Sequence, residues 1–520
     1  MRRLLATLLL VVIAVAAQAE TVLNRGNGAE PDSLDPQFAG GTWEQNIIGD
    51  MLVGLTTLDA AARPIPGAAE RWETSADGKT WTFHLRDEMW SDGVKVTASD
   101  FVFAWQRLLD PITASRYAYN LWVIRNARAI SDGRLPPPAL GISAKDSRTL
   151  IVTLEHPAPY LPELLAGLQA MPLPRHVVQV MGEAWARPGN FVGNGPYRLK
   201  EWVPNDHLSL VKNPRFYDAA HVRIDRVNYF PTVDVNAALN RYRADELDTQ
   251  TPVPISQIAW LKANLKGQLH ITPSLAIRYI AFNLDYPPLK DIRVRRALNL
   301  IYNREAIVQK VLKLGEAPAY SYVPPGTAGY PGGAALDFRK MPYSMRAAEA
   351  RKLMEAAGYD RFNRLHLTYS TTTNSDSRRL AAIFQAMARP IYIDIAIAAS
   401  DIQLHLRDLR RRKFQLGEAS WYADFNDASN FLDLLRSDSG NNYAGYRNPR
   451  FDALMNAAQN QPDAKRRGAL LLAAERIALA DEPWLVTRFA AQTDLVKSRV
   501  KGWVPNMRDF HGSRWLWLAK

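Results

Sequence analysis

No cysteine occurs anywhere in this chain, although its first nineteen residues read as a leader for export. Exported proteins commonly rely on disulfides. This one has none to form, and no thiolate for metal binding or nucleophilic attack. Its fold must come from burial, which calls for large hydrophobic cores. Apolar residues make up 47% of the sequence, enough to build them. A length of 520 residues points to two or three domains rather than one. The leader comprises a basic start (Arg2, Arg3), an apolar run from Leu4 to Ala17, and the small-x-small site Ala17, Gln18, Ala19. It predicts a mature chain that begins at Glu20 and works outside the cytoplasm. Without a cysteine for lipidation, and with no later stretch long and apolar enough to span a bilayer, a soluble monomer with no direct membrane anchor is expected.

The net charge of +12 is spread along the chain. That pattern suits general solubility and gives no nucleic-acid footprint. The nine histidines are dispersed, and none forms a zinc-type pair at helical spacing, so no metal and no cofactor are expected. Phosphate-cradling loops, dinucleotide fingerprints and Gly-x-Ser-x-Gly elbows are absent from the sequence. Ser209 and Lys212 have Ser-x-x-Lys spacing but lie in an alternating run that reads as a strand. Asp245 and Glu246 read as a solvated helix end. No constellation of catalytic residues emerges, so an enzyme is not expected.

Strand and helix signals are mixed in every region, which predicts an α/β (mixed α+β) fold in at least two lobes. Thr21 to Arg25 reads as a first strand, and Glu44 to Leu58 has helical spacing. The strongest local signal is a hairpin. Arg71 to Thr74 leads into the turn Ser75 to Gly78, and Thr80 to Leu85 returns with Trp81, Phe83 and Leu85 on one face. Thr97 and Asp100 form a capping pair for a helix running to Leu109. Tyr160 to Leu168 reads as a helix. Strands follow after Asn194, from His207 and from Arg226, then a helix from Asp234 to Arg243. Domain boundaries are expected near Pro174 and Ser274. Beyond them lie a strand from Arg278 to Asn283, a helix from Val294 to Leu312 and a Pro/Gly-rich loop from Tyr320 to Pro342. Alternating helices and strands run to Val486, and the Trp-rich tail from Trp503 reads as a closing segment.

One late stretch concentrates binding chemistry. Ala419, Ser420, Trp421, Tyr422 and Asp424 set two aromatics beside a carboxylate, with small residues around them. Phe414 to Leu416 reads as a strand before them and Asn430 to Leu435 as a helix after them, so the aromatics and Asp424 are expected on a strand-to-helix turn. A carboxylate between aromatic walls suits an ammonium group. The alternative is that Asp424 caps the following helix, a role Asp427 could fill instead.

The hairpin and capped helix, Glu70 to Arg86 and Asp100 to Arg107, resemble the signature of the large periplasmic solute-binding proteins of ABC peptide importers. Asn194 to Tyr197, Lys290 to Leu298 and Trp421 to Asn426 are also similar, in the same order. The resemblance covers nearly the whole mature chain. It is to the oligopeptide-binding (OppA-type) branch of the peptide/nickel-binding family rather than to its nickel or dipeptide branches. It implies two ligand-enclosing lobes plus an inserted domain, hinged. Residues 20–52, 177–274 and 490–520 would form lobe I, 53–176 the inserted lobe II, and 275–489 lobe III, with 1–19 as the signal peptide.

By the same resemblance, the protein would capture oligopeptides in the periplasm and hand them to inner-membrane ABC permease subunits. Asp424 would pair with the peptide ammonium and Tyr117 would reach the same end. Trp421 and Tyr422 would wall a side-chain pocket. Gly40, Gly41, Ala419 and Ser420 would let an extended peptide run alongside and exchange main-chain hydrogen bonds. The sequence departs from the pattern at Glu418, where some members carry a basic residue, and in the loop from Asn374 to Arg379, which lacks a family histidine. The basic run from Arg407 to Lys413 could supply the missing cation, or could be a solvated helix end. Alternatives are a non-peptide amine, metal chelate or haem as cargo on the same fold, or an exported peptide or wall-fragment hydrolase.

Overall fold

The computed structural model describes residues 20–519, so the expected leader lies outside the described residues. Ten strands form one long mixed sheet: β1 Val22–Gly26, β2 Tyr197–Val203, β3 His207–Lys212, β4 Arg226–Phe230, β5 Thr249–Gln250, β6 Leu269–Phe282, β7 Leu365–Thr372, β8 Ile393–Ser400, β9 Leu416–Tyr422 and β10 Trp484–Val496. Their order is β8-β7-β9-β6-β10-β5-β1-β4-β3-β2, and Ala317–Pro318 adds a short pairing on β10. The antiparallel pair β6–β10 joins the two halves. The boundary expected near Ser274 falls inside β6. There the chain does not break; its register with β10 shifts between Pro273 and Ile277.

A smaller antiparallel sheet contains the expected hairpin. Ala69–Thr74 pairs with Thr80–Leu85, which pairs in turn with Thr149–Thr153 and then Ile142–Ala144. Trp81, Phe83 and Leu85 are buried and the residues between them are half-buried, as the alternation requires. The helix Ala98–Leu109 packs here, and its start has Thr97 N and Oγ1 bonded to Asp100 Oδ2 at 2.8 and 3.0 Å. One core gathers buried side chains between Leu275 and Phe489. A second gathers those between Leu23 and Tyr229 with Val496, Val500 and Leu516, so the tail does close on earlier elements. A small third core lies around Leu239, Tyr242 and Leu261. No helix among the described residues is long and apolar enough to cross a membrane.

Three helical expectations are shortened. The helix expected over Glu44 to Leu58 is Thr42–Met51, followed by the strand Thr56–Leu58. Asn194 bonds both Val53 N and Val53 O at 2.9 Å, holding the chain extended, and a Cβ on Gly54 would lie 2.5 Å from Leu165 O. Tyr160 to Leu168 contains one helical turn, Leu161–Leu164, because Gly167 turns extended before a second turn at Leu168–Ala170. The helix expected over Val294 to Leu312 is interrupted after Ile301, where Asn303 caps a new start through Ala306 N.

Candidate functional site

β9 positions the key stretch. It pairs antiparallel with β6, Arg278 opposite Ser420 and Ala276 opposite Tyr422. The two aromatics therefore lie on a strand, not on a turn, and successive side chains on a strand point to opposite faces. Trp421 turns onto the larger core, its Nε1 donating to Asn430 Oδ1 at 2.7 Å. Tyr422 turns outward and is 57% exposed. Arg278 Nη2 donates to its hydroxyl at 2.5 Å, with the guanidinium 5.1 Å from the ring centre. Of the two expected wall residues, Tyr422 lines open space and Trp421 braces the strand from behind.

That open space is a cleft of about 910 Å³ between residues 235–256 on one side and β9, β10 and the segment 372–380 on the other. Ala419, Ser420 and Tyr422 line it, as do Arg278, Glu316, Glu418 and Arg488. Glu418 is held by Ser377 Oγ at 2.9 Å and by the Thr371 hydroxyl. Arg488 is spent on Glu316, Nε to Oε1 at 2.8 Å. Arg278 makes no ion pair among the described residues and meets no acceptor side chain there besides the Tyr422 hydroxyl. It is the cleft's unspent cation. The basic run does not take that part: Arg407, Arg410, Arg411, Arg412 and Lys413 are exposed, and Arg412 bonds Asp285. Arg278 escaped sequence reading because its neighbour Tyr422 is 144 residues away along the chain.

Asp424 follows β9 and does not cap the next helix. Asp427 serves that segment, accepting from Ser429 N at 2.9 Å and from Arg467 at 2.6 and 2.9 Å. The Asp424 carboxylate accepts one long bond, from Tyr119 Oη at 3.3 Å. Burial pushes its carboxyl above the usual range, and the Tyr119 hydroxyl, the Asn430 side chain and the Arg508 charge pull it partly back. Burial, then Asp424 itself, raises the Tyr119 phenol in turn. Around them the chain is firmly docked: Phe425 stacks on Tyr160 at 4.5 Å, and Arg508 bonds both Glu163 at 2.5 Å and the Asp424 carbonyl at 3.2 Å.

Tyr117 lies 6.4 Å from Tyr119, ring centre to ring centre, and a Cβ on Gly40 would fall 1.7 Å from Tyr117 Oη. Gly40, Tyr117, Tyr119 and Asp424 thus form one contiguous group, in which Tyr119 went unnoticed in the sequence although it is two residues from Tyr117. The amides of Gly40 and Gly41 are not free to meet a peptide. Both donate to Glu44 Oε2 at 2.8 Å. Their expected main-chain role is corrected accordingly: Gly40 makes room for Tyr117, and Gly41 opens a helix. Glu44 thereby supplies the return half of a capping box, which a glycine without a side chain cannot complete.

A family model described as bacterial extracellular solute-binding proteins, family 5 middle, matches residues 63–443. The chain is 37% identical over 505 residues to the probable deoxycholate-binding periplasmic protein YgiS of Escherichia coli, covering 96% of this chain and 94% of that one. It is also 37% identical over 489 residues to the periplasmic oligopeptide-binding protein OppA of Salmonella typhimurium, covering 92% and 89%. The unliganded open form of the murein tripeptide-binding protein MppA superposes with a TM-score of 0.86 at 34% identity, covering 96% of this chain and 98% of MppA. The chain belongs to the family 5 bacterial extracellular solute-binding proteins.

Proposed function

We propose that this protein is the periplasmic binding component of an ABC importer, capturing short peptides and delivering them to inner-membrane permease subunits. The observation that carries the reading is two unspent charges on neighbouring segments, Arg278 on β6 and Asp424 just past the end of β9. Asp424 is a half-buried carboxylate whose side-chain neighbours Tyr119 and Asn430 are both neutral, and Arg278 is a guanidinium without a carboxylate partner among the described residues. Asp424 lies beside the 910 Å³ cleft rather than in its lining; a desolvated carboxylate needs a cation, and a peptide ammonium supplies it. A peptide carboxylate would answer Arg278 in the same way. Asp424 lies four positions beyond Ser420, the residue opposite Arg278. Since β9 ends at Tyr422, about 13 Å is the most that stretch can span, the reach of no more than roughly four extended residues. Lobes of residues 20–52 with 177–274 and 490–520, of 53–176, and of 275–489 would close on the peptide about β6 and β10.

The protein binds and releases its ligand without turnover. Calorimetry with an unmodified tetrapeptide should show micromolar affinity, about −8 kcal/mol, and the recovered peptide should be intact. Absence of binding across a mixed tri- and tetrapeptide set, or cleavage of the peptide, would overturn the reading. YgiS and the unspent Arg278 also favour a second reading, an amphipathic carboxylate of the bile-acid type. Deoxycholate that binds while peptides do not would establish it.

A further inference from the structure

The C-terminal loop brings two tail residues against β10. Asn506 organises the loop, accepting from Arg508 N at 3.1 Å and Phe510 N at 3.2 Å and donating to Phe510 O at 2.9 Å. The loop is fastened at the β6–β10 junction through Leu275 N to Met507 O at 2.9 Å and Gln492 Nε2 to Asn506 O at 3.1 Å. Asp494 on β10, Asp509 and His511 then present one ligating atom each, all within 4.8 Å of one another. His511 is fixed twice. Arg25 Nη1 holds its carbonyl at 2.8 Å, and Trp503 stacks on its ring at 3.6 Å.

Asp494 is 2% exposed, and Asp494 Oδ1 has no hydrogen-bond donor; neither has Asp509 Oδ1. Leaving a buried carboxylate oxygen without a donor is costly. Arg25 offsets them through its charge but gives them no hydrogen bond, its Nη1 donating to His511 O, Ser513 Oγ and Tyr229 Oη. Asp50, whose carboxylate takes Ser513 N and Tyr229 Oη, adds a further negative charge beside Arg25. Ionised together, as a bound cation would hold them, three carboxylates against one guanidinium carry a net −2, the charge one divalent cation neutralises.

We propose that Asp494, Asp509 and His511 form a divalent-cation site, of the zinc class, that ties the C-terminal loop to the β6–β10 junction. One imidazole nitrogen with two carboxylate oxygens is a three-ligand set suited to Zn²⁺, with a fourth position open to water. His270, paired directly opposite Asp494, adds a second imidazole next to the set. Asp509 keeps 24% of its side chain exposed, which gives an ion a way in. This site is independent of the peptide reading.

The test uses the mature protein, stripped with chelator and titrated with Zn²⁺ by calorimetry, with bound metal counted by elemental analysis. One Zn²⁺ per chain is expected, with a rise of several degrees in Tm. His511→Gln and Asp509→Asn should each weaken binding by more than the ~10–100-fold that loss of an outer partner costs. Ni²⁺ should quench Trp503 fluorescence, read as the difference from Trp503→Phe. If a variant fails to fold, the wild-type stoichiometry, Tm and quenching still decide. Wild type that binds no more Zn²⁺ than His511→Gln, or whose Tm and Trp503 signal ignore the metals, would overturn the proposal.

Discussion

Asp424→Asn isolates the charge on which the proposed peptide recognition rests. The substitution keeps the shape of the side chain and its contact with Tyr119 Oη, so the fold around Phe425, Tyr160 and Arg508 should be unaffected. What it removes is the attraction between a partly desolvated carboxylate and a ligand ammonium. At about 4 Å and an effective dielectric near 20 that attraction is about 4 kcal/mol. Removing one member of such a buried pair costs about 2–5 kcal/mol, which is roughly 30-fold to several thousand-fold in Kd. The assay is calorimetry on wild type and Asp424→Asn with a free and an N-acetylated tetrapeptide. Acetylation should cost wild type about the same amount and cost the variant little, giving a coupling energy of about 2 kcal/mol or more. The acid side of the binding profile is a second check. Burial raises the Asp424 carboxyl, so wild type should lose free-amine peptide as pH falls through that raised value, and the variant should lack this limb. Independent, additive effects of the two changes would refute the pairing of Asp424 with an ammonium.

Arg278→Gln should weaken peptides with a free carboxylate by roughly 10–100-fold and leave C-amidated peptides nearly unaffected, read by the same calorimetry; equal losses for both would remove Arg278 from the carboxylate role. Gly40→Ala puts a methyl 1.7 Å from Tyr117 Oη, so that ring must move. Peptide affinity should fall about tenfold at a stability cost of about 1–3 kcal/mol, and unchanged affinity would exclude Tyr117 from the site. Glu88 is buried beside Asn194, and burial raises its carboxyl to about 7. Its folded value lies above its unfolded one, so its contribution is full below the unfolded value and is lost as pH rises through about 7. Glu88→Gln escapes that loss, of order 3 kcal/mol, and should raise Tm over wild type at pH 8 but not at pH 4. A Tm difference independent of pH would contradict it.

Much of the fold was legible where the signal was local. The hairpin at Ser75 to Gly78, the Thr97–Asp100 cap and the helix from Asp234 to Arg243 each depend on residues within a few positions, and Ser209 lies on a strand as its alternation indicated. Trp421 and Tyr422 show what a short window conceals. The strand signal reached Leu416, but pairing with β6 extends β9 to Tyr422 and sends the two rings to opposite faces. The site was legible only in part. Asp424 was singled out from its aromatic neighbours and Tyr117 through the resemblance, whereas Tyr119, Arg278 and Arg488 owe their positions to contacts spanning 144 to 305 residues. Spacing along a sequence carries no trace of such contacts. The Asp494, Asp509 and His511 cluster was hidden for the same reason, because a strand and a separate loop assemble it.

The most direct test of the account is native mass spectrometry of the protein released from the periplasm and purified without denaturation. The two unspent charges predict a retained mass that resolves, on gas-phase release, into peptides of about three to four residues with free termini. A retained bile acid, or a chain that carries nothing and takes up no tri- or tetrapeptide when they are added, would contradict peptide capture as the function of this cleft.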